Sequence, residues 1–176
     1  MKIVQIIWFS IVIGLIGCQA NPNELNAERN ILKGIQLSME LKKPIFLHFT
    51  CHGCVGYNEF YKDLITSRKI LNKLNEEFVV IELYTDDNGK IHTNDTLNLH
   101  KIKVFQEGRE KIKNAKTIGN INTIIEADWL KRYSQPLYLI TDSELNILVE
   151  PFGYTQKNRV FFLAKLEEGL KEFKNK

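Results

Sequence analysis

Cysteine is scarce in this 176-residue chain: there are three, with four prolines, two methionines and two tryptophans. So few cysteines exclude a small disulfide-stapled scaffold, and so few prolines exclude a proline-rich linker or collagen-like chain. No internal repeat and no low-complexity tract is present. Neither sign of charge dominates: the formal net charge is +3, and removing residues 1–17 lowers it to +2. The lysines are spread along the chain and mixed with acids, which leaves no basic patch of the kind nucleic acids require. No apolar run reaches the ~20 residues of a membrane-spanning helix. With 44% hydrophobic and 26% charged residues, the composition is that of one ordinary domain able to bury its own core.

The longest apolar run, Ile3 to Ile16, follows Lys2 and gives way to polar residues from Gln19, the pattern of an export signal. Leu15-Ile16-Gly17-Cys18 resembles the lipobox of bacterial lipoproteins, in which the cysteine is acylated and becomes the first mature residue. The resemblance implies a signal peptide over 1–17, lipidation at Cys18, a tether over 18–23 and a domain over 24–176 held at a membrane. That domain would face an oxidising extracytoplasmic space, the periplasm of a bacterial envelope. Gln19 is not the aspartate associated with inner-membrane retention, which favours the outer membrane. An uncleaved anchor, or an ordinary signal peptide with an incidental cysteine, is the plainer alternative.

The other two cysteines close the segment Phe49-Thr50-Cys51-His52-Gly53-Cys54, at the end of the apolar run Ile45 to Phe49. A strand delivering Cys-x-x-Cys to the start of a helix is the layout of a dithiol redox site. The thiolate is the nucleophile, and a helix start offers unpaired amide donors and the positive end of a dipole to stabilise it. One sulfur attacks a substrate disulfide and its neighbour resolves the mixed disulfide. His52, if charged, would favour the thiolate; it reads equally well as a solvated loop residue.

Apolar spacing predicts an amphipathic helix over 24–41, stopped by Lys42-Lys43-Pro44, a strand over 44–49, a helix over 54–62 and another over 67–76. Phe78 to Tyr84 reads as a strand. Residues 85–117 read as an insertion without a clear period. A helix over about 121–132, strands at Leu137 to Thr141 and Ile147 to Glu150, and a helix from about Gln156 to Phe173 capped by Thr155 complete the pattern. The order describes an α/β layer fold with a mixed central sheet flanked by helices and an insertion after the second strand.

Three features, the Lys-Pro-strand-Cys-x-x-Cys opening, Ser134-Gln135-Pro136 before a strand, and Phe152-Gly153-Tyr154 before the last helix, resemble the thioredoxin-fold family. Within it, the chain is most similar to the C-terminal periplasmic thioredoxin domain of DsbD-type interchange proteins, from Lys43 to Phe173. The resemblance implies a cis peptide at Gln135-Pro136 beside the cysteines, where Gln135 and Pro136 would position an extended substrate segment. It implies thiol-disulfide oxidoreductase activity on cysteines of envelope proteins, a redox partner that recharges the pair, and no cofactor.

The sequence departs from the family pattern in one respect. Ungapped alignment on Pro44 puts the first family cysteine at Cys54 and the second at Tyr57, and sets His48 where the family has a buried acid that moves protons. With Cys51 as the first cysteine, that position would be Ile45, which cannot. The catalytic expectation is therefore Cys54 as attacking sulfur, Cys51 as its partner and His48 for proton handling, with His52 tuning.

A degenerate, non-catalytic binding module and a metal site remain alternatives. His48, Cys51, His52 and Cys54 are donors zinc or copper accepts, but no second ligand pair with firm spacing accompanies them; His92 and His100 lie in the insertion. Covalent haem is disfavoured because Val55 follows Cys54. Asp86 and Asp87 lack the further oxygen ligands of a calcium loop and precede the turn signal Asn88-Gly89. Trp129, Tyr133 and Tyr138 are candidates for the edge of a peptide groove or for core.

Overall fold

A computed structural model describes residues 23–91, 98–99, 101–154 and 158–176. Cys18, His92, His100, Thr155 and Gln156 lie outside the described residues. Among the described residues no helix is long and apolar enough to cross a membrane.

The sheet explains the rest of the architecture. Its five strands are β1 (Ala27–Glu28), β2 (Ile45–Thr50), β3 (Val79–Tyr84), β4 (Leu137–Thr141) and β5 (Ile147–Gly153), in the order β1-β3-β2-β4-β5. β2 runs parallel to β3 and antiparallel to β4, and β5 returns antiparallel to β4 as a hairpin. All residues of β2, β3 and β4 are buried, whereas in the edge strand β5 only Val149 and Phe152 are. The mixed sheet flanked by helices is the fold class expected from the sequence.

Because successive side chains point to opposite faces, β2 divides its residues between two cores. Ile45, Leu47 and Phe49 join Ile81, Leu83, Leu137 and Leu139 under α1 (Ile31–Leu41) and α5 (Ile118–Leu130). Phe46, with Val80, Tyr138 and Ile140, faces a layer built from three segments. These are α2 (Val55–Glu59), which continues as a π-helix over Phe60–Ile65, then α3 (Arg68–Glu77) and α6 (Arg159–Lys174). Each large aliphatic or aromatic side chain fully buried in these layers contributes about 1.5–3 kcal/mol.

Several sequence expectations change. The first helix does not begin at residue 24: Asn30 caps it, accepting from the Leu32 and Lys33 amides, and Ala27–Glu28 instead pair with Val80 and Ile81 as a sheet edge. The insertion therefore follows the third strand rather than the second. The first helix ends as expected, with Lys42 in the left-handed conformation (φ 53°) bonding back to the Ser38 carbonyl. The described part of residues 85–117, whose form the sequence leaves open, has short elements of its own. These are a 3-10 turn (Lys103–Phe105) and α4 (Arg109–Lys113), and Leu99, Phe105 and Ile112 are buried in the core. The described terminal helix runs over Arg159–Lys174, capped by Asn158, whose side chain accepts from the Phe161 amide.

Candidate active site

The strand β2 ends at Thr50, and the turn Cys51-His52-Gly53-Cys54 carries the chain to α2. Cys51 and Cys54 are joined in a disulfide, with Cα atoms 5.2 Å apart. Cys54 occupies the N-cap of α2 in an extended conformation, its amide bonding the Cys51 carbonyl and its own carbonyl accepting from the Tyr57 amide, both at 3.1 Å. Both cysteines are half-buried. The placement at the helix start belongs to Cys54, not Cys51.

The Gln135-Pro136 peptide is cis. It meets the cysteine turn at two points. The Gln135 Oε1 lies 3.4 Å from Cys54 Sγ. A disulfide sulfur carries no hydrogen, so in this oxidised state the two atoms are simply in contact; in the reduced protein the thiol can donate to that oxygen. Gly56 is the second point: a Cβ there would lie 2.2 Å from Pro136 Cδ, so only glycine lets the first turn of α2 close on the proline.

Beneath the turn, on the Phe46 face of the sheet, lies a buried polar network. His48 and Glu82 are register partners on parallel strands, with Nδ1 of the histidine 3.2 Å from a Glu82 oxygen. The Tyr61 hydroxyl donates to both Glu82 oxygens at 2.9 Å and the Tyr84 hydroxyl donates to one at 3.0 Å. Burial alone would raise the Glu82 carboxyl, but the histidine and the two phenols outweigh it and hold the carboxyl below its ordinary value. Burial and the neighbouring Glu82 charge push both Tyr61 and Tyr84 upward, so they remain neutral donors. A carboxylate acceptor on Nδ1 fixes the His48 tautomer with its proton there. Nε2 is then a buried base without a hydrogen-bond partner. The ring is held against Phe60 and Tyr138, with centroids 4.5 and 4.9 Å away.

His52 is held rather than free. Asp86 accepts from its backbone amide at 2.8 Å and sits 2.9 Å from Nδ1, and the ring stacks on Tyr84 at 4.2 Å. Although burial opposes it, these bonds and the amide of Gly53 keep the Asp86 carboxyl below the usual range. A carboxylate beside the imidazole offsets any charge His52 would lend to the sulfurs. The aspartate pair thus has structural work: Asp87 closes a turn by accepting from the Gly89 amide at 2.7 Å.

Of the aromatic residues near Pro136, Tyr138 is core, fully buried, and Trp129 packs edge-on against Phe105 at 5.9 Å; Tyr133 is exposed. Among the described residues no three His, Cys, Asp or Glu side chains are gathered as a metal would need. Two acids went unnoticed in the sequence, Glu82 and Glu126, and Asp86 was weighed only as a calcium ligand. The carboxylate of Glu126 accepts from the Ser134 amide at 3.1 Å and from the Gln135 side-chain amide at 3.2 Å. A glutamate in the middle of the apolar strand Phe-Val-Val-Ile-Glu-Leu-Tyr was the one signal available.

No protein-family model matches the chain, and no curated protein sequence does. Among solved structures it is similar to one titled DsbH Oxidoreductase, with a TM-score of 0.57 at 16% identity, covering 84% of this chain and 85% of that one. The fold is thioredoxin-like. Within a thioredoxin-like frame, the disulfide at the start of α2 meets the residue before the cis-proline where Gln135 Oε1 lies 3.4 Å from Cys54 Sγ.

Proposed function

We propose that the protein is a thiol-disulfide oxidoreductase that exchanges disulfides with cysteine-bearing proteins of a bacterial envelope. The observation that carries this reading is the disulfide between Cys51 and Cys54 at the start of a helix and against a cis-proline. The structural similarity to an oxidoreductase of the Dsb type and the resemblance to DsbD-type domains support the same class.

In the reducing direction the Cys54 thiolate attacks one sulfur of a substrate disulfide. An S–S bond forms between enzyme and substrate, and the substrate's other sulfur leaves as a thiolate. Cys51, deprotonated, then attacks Cys54, restoring the internal disulfide and releasing the second substrate thiolate; two electrons have passed to the substrate. The reverse sequence oxidises a dithiol. Cys54 is assigned the first attack because it holds the helix start. His48, with its proton pinned on Nδ1 by Glu82, carries an unpartnered basic nitrogen behind the turn, and we assign it the proton handling. Gln135 and Pro136 would offer backbone groups to an extended substrate segment, beside the attacking sulfur. A protein that recharges the pair completes the cycle, and Cys18 would tether the domain by lipid to the membrane, the outer one on the evidence of Gln19.

Insulin reduction by the wild-type protein, with mixed-disulfide trapping on Cys51→Ser and Cys54→Ser, tests the reading. Turnover by wild type and a covalent adduct at Cys54 in Cys51→Ser are expected. No turnover and no adduct from either variant would leave a non-catalytic binding module.

A further inference from the structure

The groove beside the cysteine turn contains a buried carboxylate that the redox chemistry above does not use. Glu126 is fully buried, on the inner face of α5, and touches neither sulfur by any hydrogen bond. Its two oxygens are instead divided between the loop that precedes the cis-proline: one accepts from the Ser134 backbone amide, the other from Nε2 of Gln135. A carboxylate that accepts at both oxygens dictates which end of the Gln135 amide it receives, because only the NH2 end can donate. Thr85 does not make the choice: its hydroxyl lies 2.8 Å from Nε2 and 3.1 Å from Oε1 of Gln135, and 3.3 Å from the Thr50 carbonyl, so it can accept from the first or donate to either of the others. With the NH2 end committed to Glu126, the carbonyl end is left to face Cys54 Sγ at 3.4 Å.

We propose that Glu126 is a positioning residue that fixes the polarity of the Gln135 amide, so that a carbonyl oxygen rather than an NH2 group faces the attacking sulfur of Cys54. This rests on the reading of Cys54 as a redox thiol and extends it. A hydrogen-bond acceptor beside the sulfur favours the protonated thiol, which can donate to it, and disfavours the thiolate, which repels it. A donor would do the reverse. Glu126 thereby holds the Cys54 thiol less acidic than the helix start alone would make it, and moderates the disulfide as an oxidant, since whatever stabilises the thiolate stabilises the reduced pair. Burial raises the Glu126 carboxyl above its ordinary value, against the opposing bonds from Gln135 and Ser134, so the group is maintained at some cost in an apolar setting.

The test is the pH profile of iodoacetamide alkylation at Cys54 in the reduced full chain, read by peptide mapping so that Cys51 and Cys18 are scored separately. In Glu126→Gln the neutral amide accepts either end of Gln135, which turns its NH2 toward the thiolate. The Cys54 profile then moves to lower pH, with alkylation on its acid side about tenfold faster, the size of one pKa unit. Gln135→Met removes the carbonyl and shifts the profile in the same direction, and adding Glu126→Gln to it produces no further shift. The other ionisable groups around the turn, His52 with Asp86 and His48 with Glu82, are untouched by either change. An unmoved profile in Glu126→Gln, or an equal shift in the Gln135→Met background, overturns the proposal. Should Glu126→Gln fail to fold, an unmoved profile in Gln135→Met alone overturns it. Failure of the enzymatic reading shows itself separately, as no insulin reduction by wild type, while the alkylation profile remains readable.

Discussion

Two buried carboxyl groups flank the cysteine turn, one beneath it and one beside it, and the protein treats them in opposite ways. Glu82, on the floor, receives donors from His48, Tyr61 and Tyr84 and is held below its ordinary value. Glu126, in the wall, receives two amide donors and is raised. Both are buried, Glu82 on the Phe46 face of the sheet and Glu126 on the helix that covers the other, so burial is not what separates them; the number of donors is. The floor carries a compensated charge that holds strands and helix together. The wall carries a charge under tension whose geometric consequence is the orientation of Gln135.

The largest effect expected from disturbing this contrast is on stability. Glu82→Ala leaves His48 Nδ1 and two phenols without their acceptor, and a buried polar group left unsatisfied typically costs about 1–3 kcal/mol, so a loss of about 3 kcal/mol or more is expected by urea unfolding. Survival with under about 1 kcal/mol lost would show that the three donors do not depend on Glu82.

The pH dependence of the two glutamates separates them further. A depressed folded value means that Glu82 stabilises the protein above the ordinary glutamate value of about 4.3, and that this contribution is lost as pH falls through the folded value. Glu126 has the opposite sign: its raised folded value means that stability falls as pH rises from about 4.3 through that value. The stability of Glu126→Gln relative to wild type therefore rises with pH across that window. The deficit of Glu82→Gln shrinks as the medium becomes acid. Thermal unfolding midpoints between pH 3 and 8 check both slopes, and slopes of the same sign for the two variants would erase the distinction.

Next in size is Gly56→Ala. The added methyl would sit 2.2 Å from Pro136 Cδ, so the helix start must retreat from the proline, a displacement that typically costs about 1–3 kcal/mol. Disulfide exchange should fall with it, since Cys54 and Gln135 would part. Unchanged insulin reduction would detach the cis-proline wall from the chemistry. The smallest effect is expected at the rim: His52 is 55% exposed and its bond to Asp86 is open to solvent, so Asp86→Asn should cost under about 1 kcal/mol. Because the aspartate is held below its ordinary range, that small contribution fades as pH falls through its depressed value.

The sheet was legible in the sequence wherever a strand is buried on both faces. Ile45 to Phe49, Phe78 to Tyr84 and Leu137 to Thr141 are near-continuous apolar runs, and all three are strands within a residue. The two-residue β1 was not, because Ala27–Glu28 carries no periodicity and is extended only by pairing with β3. Short elements in 85–117 were hidden for a similar reason. Five-residue α4 contributes one buried side chain, Ile112, which is too little to print a helical period.

Within the site, the chemistry-bearing turn announced itself through the Cys-x-x-Cys spacing, and the cis-proline through its place before a strand. The acids that condition them did not. Glu126 lies nine residues before Gln135 on a helix whose polar positions look solvated, and Asp86 lies 34 residues after His52. Such partners are chosen by strand register and helix packing, which one sequence does not display.

The central claim is that Cys51 and Cys54 open and close a bond with each other under native conditions. Equilibration of the folded protein across a series of reduced-to-oxidised glutathione ratios, followed by acid quenching, alkylation and peptide mapping, measures this directly. The account predicts a single transition in which Cys51 and Cys54 gain label together as two electrons enter. Cysteines that stay bonded at every ratio while the fold persists, or that take up label independently of one another, would contradict it.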